Sequence, residues 1–291
     1  MSAHPRLSLN QATVKYASLS DALRVTQEAG IQAIGLWREP VAAAGLDKAC
    51  ALVGDSGLRV SSLCRGGFFT QQPGVDRTAA LEDNRRAIEE TAALAAAGAP
   101  GSAPVLVLVA GGLLSGDRDL AGARLRARDA IGELVDDARA AGVVLAVEPM
   151  HPMFAADRGV VSTLGQALDI AEQFPAEVVG VIVDTYHVWW DPALPEQIAR
   201  AGRGGRIASY QVADWLTPVG PDVLLSRGLP GDGHIDLAGV SALVEAAGYR
   251  GDVEVEVFNS QLWQADPRAV AERTAAAFAA GSGVRVSTGR R

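Results

Sequence analysis

Short apolar runs alternate along the chain with longer stretches in which apolar residues recur every three or four positions. The short runs are typical of buried strands in a parallel sheet, and the longer stretches are typical of amphipathic helices. The pattern predicts strands over 6–14, 31–37, 58–64, 104–112, 143–148, 178–184, 206–212 and 252–258. It predicts helices over about 18–30, 41–55, 76–98, 118–141, 162–174, 194–203, 235–247 and 265–280.

Eight strand–helix units in 291 residues predict an α/β fold, a single (β/α)8 TIM barrel. We expect the barrel to span residues 1–282 and to be followed by a flexible C-terminal tail, 283–291. The alternative is an open, doubly wound sheet. A dinucleotide site in such a sheet needs a glycine-rich turn after a strand, and no GxGxxG occurs in the sequence.

The composition of the chain argues against nucleic-acid-binding, membrane and disulfide-rich proteins. The chain is 48% hydrophobic, which is enough for a large core, and its net charge of -8 argues against a nucleic-acid or anionic-membrane surface. The two cysteines, Cys50 and Cys64, offer no disulfide framework. Neither a signal peptide nor an apolar run of the ~18 residues of a membrane helix is found. These features predict a soluble, cytoplasmic protein.

Four predicted strands end in a residue whose side chain offers oxygen ligands. VVLAVE ends at Glu148, VVGVIVD at Asp184 and IASYQ at Gln211, and VEVEV contains Glu256. A carboxylate at the end of a buried strand is costly unless it is paired, and the carboxyl ends of barrel strands meet at one rim. The pattern therefore indicates an oxygen-rich site for a divalent cation, suited to Mn²⁺ or Mg²⁺ more than to Zn²⁺. Alternatively, each group caps the next helix or pairs with an arginine.

Several segments resemble the sugar phosphate isomerase/epimerase family, the xylose isomerase-like TIM barrels. They are IQAIGLWR (31–38), VSSLCRGGFF (60–69), EPMHP (148–152), DTYHVWWDP (184–192), YQVADW (210–215), RGLPGDGHIDL (227–237) and VEVEVFN (253–259). The family includes ketose 3-epimerases, hydroxypyruvate isomerases, inosose dehydratases and dehydroshikimate dehydratases. The resemblance covers nearly the whole chain, but it does not separate these reactions.

The resemblance implies that Glu148, Asp184, Gln211 and Glu256 bind one divalent ion, with Mn²⁺ expected first and Mg²⁺ or Co²⁺ as alternatives. It also implies an isomerase or epimerase that acts on a keto sugar or a polyol-derived ketone. Glu148 and Glu256 would form the acid/base pair, and the metal would stabilise an enediolate.

Two residues depart from the simplest form of the family pattern. Gln211 stands where many ketose epimerases have a histidine, and glutamine is found there in the dehydratase-like branches. The alternative function is therefore a metal-dependent dehydratase or lyase on the same scaffold. Glu254 shares the strand face of Glu256 one layer deeper, so we expect one of the two to need a basic partner.

Other residues are candidates for contact with the substrate. The resemblance places His187 and Arg227 at the substrate, and Trp37, Arg65 and His151 follow or end strands near the same rim. Each could instead be a packing or loop residue. Trp189 and Trp190 could wall the pocket or pack inside the protein.

Two other functional classes, a DNA-repair enzyme and a sugar-binding subunit, fit the sequence less well. A DNA-repair enzyme related to endonuclease IV would need a histidine-rich zinc cluster and a basic surface, and four histidines with a net charge of -8 argue against it. A non-catalytic sugar-binding subunit is less consistent with an intact set of metal ligands. We therefore expect a small sugar-like substrate, no nucleic-acid or membrane partner, and a homo-oligomer, either a dimer or a tetramer as is common among similar barrels.

Overall fold

The computed structural model describes residues 3–285, and eight of the strands in this part of the chain close into a parallel barrel. The strands are β1 (Leu7–Asn10), β2 (Ala33–Trp37), β3 (Arg59–Gly67), β4 (Val105–Val109), β5 (Val144–Glu148), β6 (Val179–Asp184), β7 (Ile207–Val212), β8 (Asp214–Trp215), β9 (Arg227–Gly228) and β10 (Val253–Val255). The order around the barrel is β1-β10-β7-β6-β5-β4-β3-β2. The predicted (β/α)8 barrel is therefore confirmed.

Helices surround the barrel and follow its strands along the chain. They are α1 (Leu19–Glu28), α2 (Arg38–Ala44), α3 (Leu46–Ser56), α4 (Val75–Ala97), α5 (Leu120–Ala141), α6 (Leu164–Ala171), α7 (Thr185–Val188), α8 (Leu194–Arg203), α9 (Leu237–Ala246), α10 (Ser260–Gln264) and α11 (Pro267–Gly281). The main apolar core lies between these helices and the outer face of the strands. Burial of this layer is the main force that holds a barrel together.

Two predicted elements are interrupted inside the stretch that the hydrophobic pattern suggested. The first strand stops at Asn10, because the Asn10 side chain accepts the N–H of Ala12 and starts a 3₁₀ turn over Gln11–Val14. The helix predicted over 41–55 is two helices, α2 and α3, separated by Gly45 with a φ of +81°. A positive φ ends a right-handed helix, and glycine adopts it at little cost.

The inside of the barrel has an apolar side and a polar side. A small separate cluster fills the side formed by β3 to β6 and consists of Cys64, Val105, Val107, Ala146 and Ile182. The side formed by β1, β3, β7 and β10 carries buried polar side chains, which are Ser8, Ser61, Ser62, Gln211 and Glu254. A barrel interior can be packed entirely with apolar groups, so this polar side needs its own explanation.

A two-stranded antiparallel sheet, β8 with β9, follows the seventh barrel strand and pairs Trp215 with Arg227. The carboxylate of Asp214 fixes the returning loop, because it accepts the N–H groups of Gly231 and Ile235 at 3.0 and 2.9 Å. Asn259 donates from its side chain to the carbonyl oxygen of Arg227. These contacts hold Arg227 at the carboxyl end of the barrel.

The predicted bounds of the barrel, 1–282, and of the tail, 283–291, stay predictions. Helix α11 ends at Gly281, and the predicted tail falls mostly on residues 286–291, outside the described residues. Within residues 3–285, no helix has the length and apolar content to cross a membrane.

Candidate active site

A cavity of about 1250 Å³ opens at the carboxyl ends of the barrel strands. This is the end at which TIM-barrel enzymes carry their active sites. Its lining includes six of the predicted site residues, which are Trp37, Arg65, Glu148, His187, Arg227 and Glu256.

Glu148 and His187 line this cavity, and Asp184 is buried beside them. Each of the three offers one ligand atom, and these atoms lie within 4.8 Å of one another. Glu148 is the last residue of β5, Asp184 is the last residue of β6, and His187 follows one helical turn later in α7. One carboxylate oxygen of Asp184 accepts the N–H of Tyr186 and caps α7, which leaves Oδ2 directed at His187 Nε2, 3.7 Å away. The Asp-x-x-His spacing thus brings the Asp184 carboxylate and the His187 ring next to each other.

Gln211 lies next to Asp184 on the neighbouring strand and is buried. Its Nε2 donates to the carboxylate of Glu254 at 3.0 Å, while its Oε1 has no hydrogen-bond partner. A buried carbonyl oxygen without a partner is costly, and a metal ion is one of the groups that would satisfy it.

Glu256 follows the last residue of β10 and forms an ion pair with Arg227, whose Nη1 lies 2.9 Å from its carboxylate. The same Nη1 lies 3.3 Å from Asp184 Oδ2. A guanidinium group thus sits between two of the predicted metal ligands. We expect one of Glu254 and Glu256 to have a basic partner, and this is Glu256, whereas Glu254 is held by neutral donors.

Burial dominates the electrostatics of these groups. It raises the pKa of Glu148 well above its usual value, with Glu256 and Asp184 adding to the shift. Burial also raises the pKa of Glu256 to about 7 although Arg227 opposes this, and it raises the pKa of Asp184 against the same opposition. Carboxyl groups that titrate near neutrality are typical of functional sites.

The charges of the site leave room for a divalent cation. Four carboxylates are buried together, those of Glu148, Asp184, Glu254 and Glu256, and among the described residues near them Arg227 supplies one positive charge. Buried carboxylates need compensating charge. A divalent ion would supply two further positive charges and a partner for Gln211 Oε1, so the residues present fit the predicted metal.

The hydrogen bonds of His187 indicate which role suits it. Its Nδ1 accepts the N–H of His151 at 3.1 Å, and burial lowers the pKa of the ring well below its usual value, so the ring is neutral. A neutral ring accepts at one nitrogen, so with Nδ1 accepting we assign the proton to Nε2, the atom that faces Asp184. Arg227 Nη2, 3.0 Å from Nε2, is then a second donor and not a hydrogen-bond partner. A protonated Nε2 donates a hydrogen bond and cannot bind a metal. This fits the predicted contact with substrate.

Other predicted contact residues are placed differently. Arg65 and Trp37 line the cavity mouth, where the Arg65 guanidinium lies 4.8 Å from the Phe68 ring. His151 packs against Trp215 with ring centroids 5.0 Å apart, outside the set of described residues that line the cavity. Its backbone N–H, not its ring, reaches His187.

The two tryptophans after the sixth strand also pack rather than form a cavity wall. Trp189 contacts Trp215 with ring centroids 5.6 Å apart, and Trp190 donates from its indole to the carbonyl oxygen of His187.

Sequence analysis missed the group that surrounds Glu254. Asn10, Ser61 and Ser62 donate to its carboxylate from β1 and β3. The signal that could have found them is the polar side chains on otherwise apolar strands, LSLN and RVSSLC.

Comparison with known proteins places this geometry in a family. The family described as xylose isomerase-like TIM barrel matches residues 23–280. A solved structure from Sinorhizobium meliloti 1021 is 44% identical, with a TM-score of 0.89 over 95% of this chain and 98% of that one. The IolI protein, solved with a bound zinc atom, is 20% identical, with a TM-score of 0.80 over 95% and 98% of the two chains.

Two curated relatives are 3-dehydroshikimate dehydratases. The Pseudomonas aeruginosa protein is 36% identical over 153 residues, and the Pseudomonas putida protein is 36% identical over 104 residues. These matches cover 49% and 34% of this chain but 24% and 16% of those proteins. The strand order, the site at the carboxyl ends and the match over residues 23–280 lead to one conclusion: the chain belongs to the family of xylose isomerase-like TIM barrels.

Proposed function

We propose that this protein is a divalent-metal-dependent isomerase or epimerase that moves a proton next to the carbonyl of a keto sugar or a polyol-derived ketone. The observation that carries the proposal is the pair of buried carboxylates, Glu148 and Glu256, which face one cavity from strands three positions apart in the barrel. Two carboxylates on different sides of a substrate allow one to take a proton and the other to return it.

Glu148, Asp184, Gln211 and Glu256 would hold the metal, with Mn²⁺ proposed first. When bound, the metal would polarise the carbonyl and an adjacent hydroxyl of the substrate. Glu148 and Glu256 would each exchange a proton with carbon or oxygen, since burial raises the pKa of both, that of Glu256 to about 7, and so favours uptake of a proton as well as its release.

Two further residues would orient the substrate. His187 would donate from Nε2 to a substrate oxygen, and Arg227 would move from Asp184 and Glu256 to bind another. Arg227 Nη2 and the protonated Nε2 of His187 are both donors, and they face each other in this structure. Movement of Arg227 would separate them. The apolar side of the barrel would exclude water from below.

The test is proton exchange in D₂O. Purified protein reloaded with Mn²⁺ is incubated with a panel of ketoses and keto-inositols, and deuterium at the carbon next to the carbonyl is measured by NMR. We expect exchange with at least one substrate, and much less of it in Glu148→Gln and Glu256→Gln. Absence of exchange across the panel in metal-loaded protein would refute the proposal.

A dehydratase is the second candidate, because a specific residue and the curated relatives favour it. Gln211 occupies the third ligand position, as in dehydratase-like branches of the family, and the relatives that are 36% identical are dehydratases. Loss of a proton next to a carbonyl can be followed by loss of a hydroxyl one carbon further on. The carboxyl group that took the proton from carbon, Glu148 or Glu256, could deliver it to that hydroxyl as it leaves as water.

The isomerase and the dehydratase can be told apart by ultraviolet absorbance, because only the dehydratase forms a new conjugated product. Dehydration of a hydroxy ketone yields a conjugated enone, so incubation with 3-dehydroshikimate or keto-inositols would produce new ultraviolet absorbance. Deuterium exchange without absorbance supports the isomerase, and absorbance with stoichiometric loss of substrate supports the dehydratase. The cytoplasmic location and the homo-oligomeric state stay predictions.

A further inference from the structure

Glu254 is fully buried and lies between the metal-binding rim and the barrel floor, yet its partners are all neutral donors. The carboxylate accepts from Asn10 Nδ2 at 2.5 Å, Ser61 Oγ at 2.5 Å, Ser62 Oγ at 2.9 Å and Gln211 Nε2 at 3.0 Å. An ionised carboxylate offers about four acceptor sites and no donor. Four donors therefore use its full capacity, and only an acceptor fits this place.

We propose that Glu254 is a positioning residue that holds the amide of Gln211 in the single orientation that can bind the metal. The inference rests on the metal site of the proposed function. Glu254 and Gln211 are direct neighbours across β10 and β7, and their side chains meet inside the barrel. With Nε2 bound to Glu254, Oε1 is left without a partner.

The physical need arises because the two ends of a glutamine amide have nearly the same shape. Rotation by half a turn would exchange Oε1 and Nε2 and present an N–H group to the metal, which repels it. The same rotation would bring Oε1 against the oxygens of Glu254, where both groups are acceptors. The Glu254 carboxylate thus disfavours the inactive orientation, and it also polarises the amide so that Oε1 becomes a stronger ligand.

The positions around Glu254 explain why it does not turn away itself. Ser61 and Ser62 come from β3, and Asn10 comes from β1, so the carboxylate is held from two strands other than its own. Asn10 is fixed in turn, because its Oδ1 accepts from the indole of Trp37 at 2.8 Å. The polar side of the barrel interior is therefore one connected support for Gln211.

The test measures Mn²⁺ affinity directly, by the loss of the electron paramagnetic resonance signal of free Mn²⁺ during titration. We expect Glu254→Gln to weaken binding by about 10–100-fold, the range typical when a group that orients a metal ligand is removed. Gln211→Ala should weaken it to a similar extent. The double variant should lose little more than either single variant, because both remove the same ligand.

Two further variants separate orientation from charge and from folding. Ser62→Ala removes one donor to Glu254 but leaves the contact between Glu254 and Gln211. We therefore expect this variant to be less stable than the parent, while its Mn²⁺ affinity stays within about twofold of the parent value. Glu254→Asp keeps the charge but withdraws the acceptor from Gln211, so we expect weaker binding in this variant too. Glu254→Asp also serves as the test variant if the Glu254→Gln protein does not fold.

Three results would overturn the inference: unchanged affinity in Glu254→Gln, full affinity in Glu254→Asp, or additive losses in the double variant. Failure of the proposed function looks different. In that case the parent protein binds Mn²⁺ with the predicted dependence on Glu254 but exchanges no substrate proton. A parent protein that binds no Mn²⁺ would overturn both.

Discussion

The chemistry open to His187 and to Gln211 depends on which side-chain atom of each residue is already hydrogen-bonded. His187 is 3.7 Å from Asp184 and belongs by distance to a possible metal group, yet the hydrogen bond at its Nδ1 makes Nε2 a donor. Gln211 is the reverse case, since its Nε2 is engaged and its Oε1 is free to bind a cation. Hydrogen-bond direction, not proximity, separates the proposed metal ligand from the proposed substrate contact.

Removal of either glutamate charge should abolish most activity. We expect Glu148→Gln and Glu256→Gln each to lower kcat/KM by about 10²–10⁴, the contribution typical of a positioned acid or base. Exposed Glu89 on α4 provides the matched control, because Glu89→Gln makes the same chemical change far from the cavity. Steady-state kinetics on the substrate found by deuterium exchange are the measurement. Equal rates in all three variants would exclude both glutamates from the reaction.

Arg227 should oppose metal binding while it supports activity. Its guanidinium contacts Asp184 and Glu256, so Arg227→Met removes a competing positive charge, and we expect Mn²⁺ to bind up to about tenfold more tightly. We expect activity to fall in the same variant. Arg65→Met is the control, because Arg65 lines the cavity without contacting either carboxylate. Calorimetric titration is the measurement, and weaker Mn²⁺ binding in Arg227→Met would contradict the assignment.

At the scale of elements, contacts from outside the barrel strands help to place several side chains of the candidate site. Asp184 caps α7, and the β8–β9 pair carries Arg227 back over the barrel. The third strand, which carries Arg65, is held by Asn84 of α4. The buried Asn84 side chain accepts the N–H of Gly67 at 2.7 Å and donates to the carbonyl oxygen of the same residue at 2.9 Å.

The contact between α4 and β3 should be costly to remove. Asn84→Ala leaves the N–H and carbonyl of Gly67 buried without these partners, so we expect the free energy of unfolding to fall by about 2–5 kcal/mol. Glu89→Ala on the exposed face of the same helix should change it by less than about 0.5 kcal/mol. Urea denaturation followed by circular dichroism measures both, and similar small effects would show that the strand is held in another way.

For the whole molecule, stability and metal binding are linked through protons. The buried site raises the pKa values of Glu148 and Glu256, the latter to about 7, above their values in an unfolded chain. A raised pKa in the folded state adds stability at low pH, and this contribution is lost as pH rises through the folded value. A bound metal needs the ionised carboxylates, so its contribution changes with pH in the opposite direction.

Thermal unfolding tests this linkage. We expect the metal-free protein, kept in chelator, to lose stability as pH rises from about 4.5 through about 7, the unfolded and folded pKa values of Glu256. Excess Mn²⁺ should raise the unfolding midpoint, by an amount equivalent to about 2.7 kcal/mol at a hundredfold excess over Kd. This increase should be larger at the higher pH because fewer protons must be displaced. An increase that is independent of pH would indicate that the metal binds elsewhere.

The sequence by itself determined the number and order of the strand–helix units, because alternation between apolar runs and amphipathic stretches is a local property that each segment carries alone. It also indicated which residues end the barrel strands, since Glu148, Asp184 and Gln211 directly close apolar runs. The breaks at Asn10 and Gly45 were local as well, but they were hidden inside longer hydrophobic patterns.

Only the tertiary structure decided how the strand-end groups divide their roles. Glu254 lies in β10 and Glu256 directly follows it, yet one is held by serines and asparagine from β1 and β3 and the other by Arg227. Those partners lie far away along the chain, and closure of the barrel brings them together. Burial, which sets the pKa values and leaves Gln211 Oε1 unpaired, likewise exists only once the barrel has closed.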